Sequence, residues 1–233
     1  MDIFFHFNLA AVSVPEPIAL YPLNSKYGTQ EIKNRQPQGN AVGVSLVPGP
    51  DGKPGGSYQF VGNANSYIEF PNNGGLDVQR SITMLCWIYP QNTDGPLFNY
   101  YTPSMWTWGT HMWMVWGKLF ARYTHRNYQF TPHLISSQPL ALNQWHYVGT
   151  SYDYNTGIAR LCLNGQKTVE LNIGSMTLST QDNVRMGAKA DDGRYFKGRI
   201  PAMQVYDVAL TAEQINEVKD AGRGTNIGGD DDE

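Results

Sequence analysis

Between Gln144 and Gly165 the chain writes out two β-hairpins in succession, and few folds accommodate such a pattern. Trp145-His146-Tyr147-Val148-Gly149-Thr150-Ser151-Tyr152 alternates in the manner of a strand with one aromatic or aliphatic face. Asp153-Tyr154-Asn155-Thr156-Gly157 supplies turn residues, because Asp and Asn side chains bond their own backbone and Gly accepts positive φ. A second strand, Ile158 to Leu163, runs into Asn164-Gly165, a dipeptide suited to a tight type I′ turn.

The rest of the chain reads the same way. Strands are predicted over residues 17–23, 41–46, 57–61, 66–70, 81–89, 95–101, 110–116, 118–124, 145–152, 158–163, 167–173, 183–187 and 196–206. Gly 24 and Pro 14 are spread as turn punctuation rather than gathered in a linker, which favours a single large β-domain. Hydrophobic content of 41% suffices for a two-sheet core without a metal or disulfide to hold it. Thr211 followed by Ala212-Glu213-Gln214-Ile215-Asn216-Glu217-Val218-Lys219 has an N-cap, early acidic residues and apolar residues at helical spacing, and predicts one short C-terminal helix. Residues 1–16 read either as a signal-like segment that lacks a positive start or as an irregular lead-in to the first strand. Residues 222–233 form a Gly-rich acidic tail with nothing to bury and are expected to be disordered.

The hairpin from Trp145 to Gly165 resembles the central hairpin of laminin-G-like and pentraxin-like domains of the concanavalin A-like lectin/glucanase superfamily. Further landmarks occur in the family's order: Ala19 to Asn24, Ser66 to Pro71, Ser81 to Pro90, Phe196 to Ile200, and Val205 to Thr211. The resemblance implies an all-β fold, an antiparallel two-sheet jelly-roll sandwich over residues 17–221. It also implies an extracellular setting, in which the chain would be secreted.

Cys86 and Cys162 fall on expected core strands. Paired, they would close a long loop and stabilise the fold by about 4 kcal/mol; unpaired, they would behave as small buried hydrophobes. Pentraxin-like relatives carry a disulfide from the strand equivalent to Ser81–Pro90, so the resemblance favours a bridge. The second cysteine, however, lies one strand beyond the family's usual partner.

Tyr100, Tyr101, Trp106, Trp108, Trp113 and Trp116 concentrate large aromatics in one short stretch. Alternation puts Trp106 and Trp108 on one face and Trp113 and Trp116 on opposite faces, so not all can be core. Exposed rings suit sugar faces, whose C–H groups pack on aromatics while hydroxyls bond nearby polar groups. Tyr100, Tyr101, Trp106 and Trp108 are therefore expected as stacking groups, with Asp191, Asp192 and Arg194 as polar partners. Many relatives bind Ca²⁺ through loop oxygens; Asn72 and Asp77 are the candidate ligands here, although Pro201-Ala202-Met203-Gln204 replaces acidic residues common in the family. His111, His125, His133 and His146 lie singly, without zinc spacing.

A net charge of −3, with 16% charged residues and no basic stripe, argues against a nucleic-acid partner. No run approaches a membrane span. The glucanase branch places alternating acidic residues on one strand, whereas Glu69 stands alone and Asp191-Asp192 are adjacent, so that catalysis has no visible home. The expected function is non-catalytic binding of a glycan or matrix glycoprotein in adhesion, matrix assembly or recognition. The alternatives are a structural matrix or biomineral-matrix component and a divergent polysaccharide hydrolase.

Overall fold

The computed structural model describes residues 12–102, 104 and 106–222. The expectations for 1–16 and 222–233 fall mainly on residues 1–11 and 223–233, outside the described residues.

In chain order the strands are β1 (Ala19–Tyr21), β2 (Asn40–Val42), β3 (Val44–Val47), β4 (Ser57–Val61), β5 (Tyr67–Phe70), β6 (Ile82–Pro90), β7 (Gly95–Tyr100) and β8 (His111–Val115). They continue with β9 (Lys118–Arg122), β10 (Leu134–Ile135), β11 (His146–Asp153), β12 (Ile158–Leu163), β13 (Gln166–Asn172), β14 (Val184–Met186), β15 (Lys197–Ile200) and β16 (Met203–Tyr206). One sheet runs β13-β12-β11-β6-β15-β4-β3, with β16 also on β6 and β1 on β16; the other runs β10-β9-β8-β7-β14-β5-β2. All the pairings are antiparallel. The described residues form a two-sheet jelly roll with one short helix.

The double hairpin forms as its sequence dictates. Val148 to Asp153 pairs with Leu163 to Ile158, and Asn164 and Gly165 take φ of 53° and 83° in the following turn. Between the sheets, Ile68, Phe70, Phe98, Met112, Met114, Leu119 and Tyr123 of the second pack with Ile82, Met84, Cys86, Val148 and Leu161 of the first. Each fully buried aliphatic side chain there is worth about 1.5–3 kcal/mol of transfer free energy.

Two predicted strands are broken. Residues 41–46 divide at Gly43 (φ 59°), so that β2 joins the second sheet and β3 the first. A Cβ on Gly43 would lie 2.0 Å from the Asn65 carbonyl oxygen, a position only glycine can occupy. Residues 196–206 divide at Pro201-Ala202, where proline can donate no ladder bond. The two pieces lie end to end along β6, β15 against Tyr89 and Pro90 and β16 against Thr83 to Cys86.

The helix α1 (Ala212–Asp220) starts on a capping box in which Thr211 and Gln214 satisfy each other's backbone N–H groups. Its Ile215 and Val218 cluster with Leu85, Tyr147, Cys162 and Tyr206 on the outer face of the first sheet. Gln214 Nε2 donates to the Ser13 carbonyl at 2.8 Å, tying the N-terminal segment alongside. The helix thus covers part of this face of the sandwich.

The expected bridge between Cys86 and Cys162 is not formed: both are buried free thiols. Their strands are separated by β11, on which Cys86 pairs with Val148 and Cys162 with Gly149. Adjacent positions on one strand point to opposite faces. Accordingly Cys86 faces the inter-sheet core and Cys162 the cluster beneath α1, a separation no disulfide spans.

Candidate functional site

No helix among the described residues covers the outer face of the second sheet. Inward residues on β8 and β9 are Met112, Met114, Leu119 and Ala121, so His111, Trp113, Phe120 and Arg122 turn outward by alternation. The register aligns a polar row across this face: Asn40, Glu69, Arg185, Asn99, His111 and Arg122 are successive cross-strand partners. The β8–β9 hairpin closes through Trp116 and Gly117, both at positive φ, which leaves Trp116 at the tip and exposed.

Over this hairpin lies a cavity of about 180 Å³. It is lined by Trp108, His111, Trp113, Val115, Phe120, Arg122, Phe130 and Arg194. Trp108 and Phe130 come from loops and meet with ring centroids 5.8 Å apart. The Arg194 guanidinium sits 4.5 Å over the Trp113 ring, which is only 2% exposed, and Trp113 Nε1 donates to Asn99 Oδ1. The Arg122 guanidinium lies 4.8 Å from the Phe130 ring centre and 5.4 Å from that of Phe120.

Electrostatics within the cleft are set by burial. His111 Nδ1 lies 2.7 Å from the Gly109 carbonyl, an acceptor, so Nδ1 carries the proton and Nε2 of the neutral ring is an acceptor. Burial, reinforced by the positive charges of Arg122, Arg194 and Lys189, lowers the His111 pKa to about 4. Gly109 is fixed by close approach: a Cβ there would lie 2.7 Å from the Tyr100 Cβ and 2.9 Å from the Ser179 carbonyl oxygen. Lys189, 1% exposed, donates to the Ser104 and Ala190 carbonyls and lies 4.7 Å from the Trp108 ring, holding the wall of the cleft from below. Arg194 is clasped by Asp192, with Nε to Oδ1 at 2.9 Å and Nη2 to Oδ2 at 2.7 Å. Burial alone would raise the Asp192 carboxyl, but these bonds hold it below the usual range.

Trp108 and Arg194, expected from sequence as ligand contacts, meet in this cavity, and Asp192 orients Arg194. Asp191 is exposed and takes φ 57° in the turn that delivers Asp192. Trp106 stands 78% exposed outside the cavity lining. Tyr101 lies elsewhere on the same face, where its ring and that of Tyr67 flank the Arg185 guanidinium at 4.0 and 4.1 Å. Tyr100 requires correction: it is 0% exposed, faces the inter-sheet core and donates its hydroxyl to the Leu76 carbonyl at 2.6 Å, so it cannot stack on a ligand. The sequence reading missed His111, Phe120, Arg122 and Phe130. The alternation of Phe120 and Arg122 with small or aliphatic residues on β9 was the available signal.

Asn72 and Asp77 do not fit a calcium ion. The Arg126 guanidinium binds both Asp77 carboxylate oxygens, and Thr180 donates to one of them, so a cation's place is already filled. Asn72 Oδ1 accepts from Gly74 N and Leu76 N, and its amide nitrogen donates to the Thr180 and Asp182 carbonyls. Among the described residues no group of three or more His, Cys, Asp or Glu is placed to hold a metal ion. Nor is any described helix long and apolar enough to cross a membrane.

Several solved structures share this architecture. The binding domain of a paraclostridial mosquitocidal protein aligns with a TM-score of 0.68 at 17% identity over 82% of this chain and 49% of its own. The ligand-binding domain of botulinum neurotoxin serotype D, solved with N-acetylneuraminic acid, aligns with a TM-score of 0.68 at 15% identity over 88% and 50%. Domain 4 of an extracellular arabinanase from Geobacillus stearothermophilus, solved with arabinotriose, gives 0.62 at 17% identity over 87% and 98%. The chain thus spans about half of each toxin domain, and at these identities the likeness is one of fold. No curated protein matches the sequence. A laminin-G-type family model, that of the concanavalin A-like lectin/glucanases superfamily, matches residues 62–216, more than half of the chain, and the protein belongs to that superfamily.

Proposed function

We propose that the protein is a non-catalytic extracellular domain that binds a glycan, free or carried on a matrix glycoprotein, in the cleft over the β8–β9 hairpin. The observation that carries this reading is the juxtaposition of Trp108, Trp113, Phe120 and Phe130 with Arg122, Arg194 and His111 around one cavity of saccharide size. Rings offer flat apolar surface to a sugar, while a few fixed polar groups orient its hydroxyls. Structures of the same fold solved with N-acetylneuraminic acid and with arabinotriose support a saccharide as the class of ligand.

Non-catalytic binding agrees with how the nearby carboxylates are committed. Glu69 accepts from Asn183 Nδ2 at 3.1 Å and from Arg185 Nε at 2.8 Å, and Asp192 is held by Arg194. A glycosidase needs one carboxyl kept protonated to deliver its proton; Asp192 is shifted the opposite way.

A glycan array, run with calcium and with chelator, tests the reading. Selective, saturable binding is expected, and Trp108→Ala should weaken it at least about tenfold, the usual effect of truncating a central aromatic contact. A blank array in both buffers, or binding indifferent to Trp108→Ala in folded protein, would move the assignment to a protein-binding or structural matrix role. Release of reducing ends from a bound polysaccharide would instead reinstate hydrolysis.

A further inference from the structure

Arg122 is a half-buried cation without a carboxylate. Among the described residues no Asp or Glu oxygen lies within 4.0 Å of its guanidinium, in contrast to Arg194, Arg185 and Arg126, each of which has one. Its Nη2 lies 3.3 Å from His133 Nδ1, and its Nε is buried without any hydrogen-bond partner. The nearest rings, Phe120 and Phe130, brace the plane of the guanidinium against the cavity it lines.

The other charges around the cavity do not neutralise it. Asp192 spends its carboxylate on Arg194 through three bonds, from the backbone N, Nε and Nη2. Lys189 below the wall is bonded to backbone carbonyls rather than to an acid. Burial lowers the Arg122 pKa, so water compensates this charge poorly. An unpaired buried donor on a desolvated cation costs stability unless something binds it. A planar guanidinium presents its donors in a fork that matches a carboxylate.

We propose that the cleft selects acidic saccharides, with the ligand's carboxylate taken by Arg122 and its ring packed against Trp108 and Phe130. The proposal rests on the glycan-binding reading above and names the class of glycan. A neutral sugar would fill the aromatic space and leave the Arg122 charge without an anionic partner; a uronic or sialic acid would supply one.

Calorimetric titration with matched pairs tests the proposal: oligogalacturonate against its carboxyl-reduced form, glucuronoxylan fragments against xylo-oligosaccharides, and sialyllactose against lactose. In at least one pair the acidic member should bind about tenfold or more tightly than its neutral partner, consistent with one charge-assisted contact. That preference should shrink with added salt and with methyl esterification of the acid. Arg122→Met should abolish it, and Arg122→Lys, which keeps the charge but not the fork, should restore it in part. Should Arg122→Met fail to fold, the Lys variant and the esterified probe still decide the matter. Equal binding of acidic and neutral members, or a preference that survives in Arg122→Met, would overturn the acidic assignment while leaving glycan binding intact. Wild-type protein that bound neither member of any pair would remove the glycan reading itself, and this proposal with it.

Discussion

His111 shows how one side chain's surroundings become a property of the whole protein. Its pKa of about 4 lies below the ordinary histidine value of 6.5 because burial and the cations Arg122, Arg194 and Lys189 disfavour the imidazolium. Between those two values the unfolded chain binds a proton that the folded protein refuses. The stability tied to His111 is thus complete above about pH 6.5 and declines as pH falls towards 4, by on the order of 3 kcal/mol in full. Urea unfolding at a series of pH values should show this slope in the wild type and a flatter one in His111→Asn, which keeps a donor for the Gly109 carbonyl. Carboxylates held low, such as Asp77 and Asp192, lose their contribution at lower pH in both proteins, so the difference isolates His111. At the same scale, Tyr100 and Tyr101 mark the limit of local reading. Alternation places them on opposite faces, but only the position of the other sheet decides which one is buried.

Elements were legible where local chemistry is decisive. The Asn164-Gly165 turn and the Thr211 cap stand where their residues predict, because positive φ and an N-terminal side-chain acceptor are requirements of a few residues at a time. Thr211→Ala removes the acceptor for Gln214 N and should cost about 1 kcal/mol, seen as a lower urea midpoint with unchanged slope. The breaks at Gly43 and Pro201 were not read as breaks, although both residues announce them. Each interrupts an apolar run that alternates correctly on either side, so the pattern continues while the hydrogen-bond partners change. The two-residue strand β10 carries too little periodicity to detect.

At the scale of the molecule, the jelly roll was legible because five landmarks occur in order, and order survives divergence better than any one motif. The cleft was legible only in part. Its lining comes from β8, β9 and three separated loops contributing Trp108, Phe130 and Arg194, and contacts across such distances follow from the completed fold. The disulfide expectation failed for the same reason: the relation of Cys86 to Cys162 depends on the strand that separates them. Stability should accordingly be indifferent to redox conditions. Melting curves with and without reductant should coincide, and a thiol reagent should titrate the two cysteines only after denaturation. Burial raises both thiol pKa values, that of Cys162 to about 11 and that of Cys86 further still, so neither offers a thiolate to the reagent.

The β8–β9 hairpin divides its labour residue by residue, with Met112, Met114, Leu119 and Ala121 turned towards one world and His111, Trp113, Phe120 and Arg122 towards another. Within the second set His111 and Trp113 are buried, and only Phe120 and Arg122 are half-exposed. Those two positions are where the outward face can drift, or an engineer can vary it, at least cost to the fold.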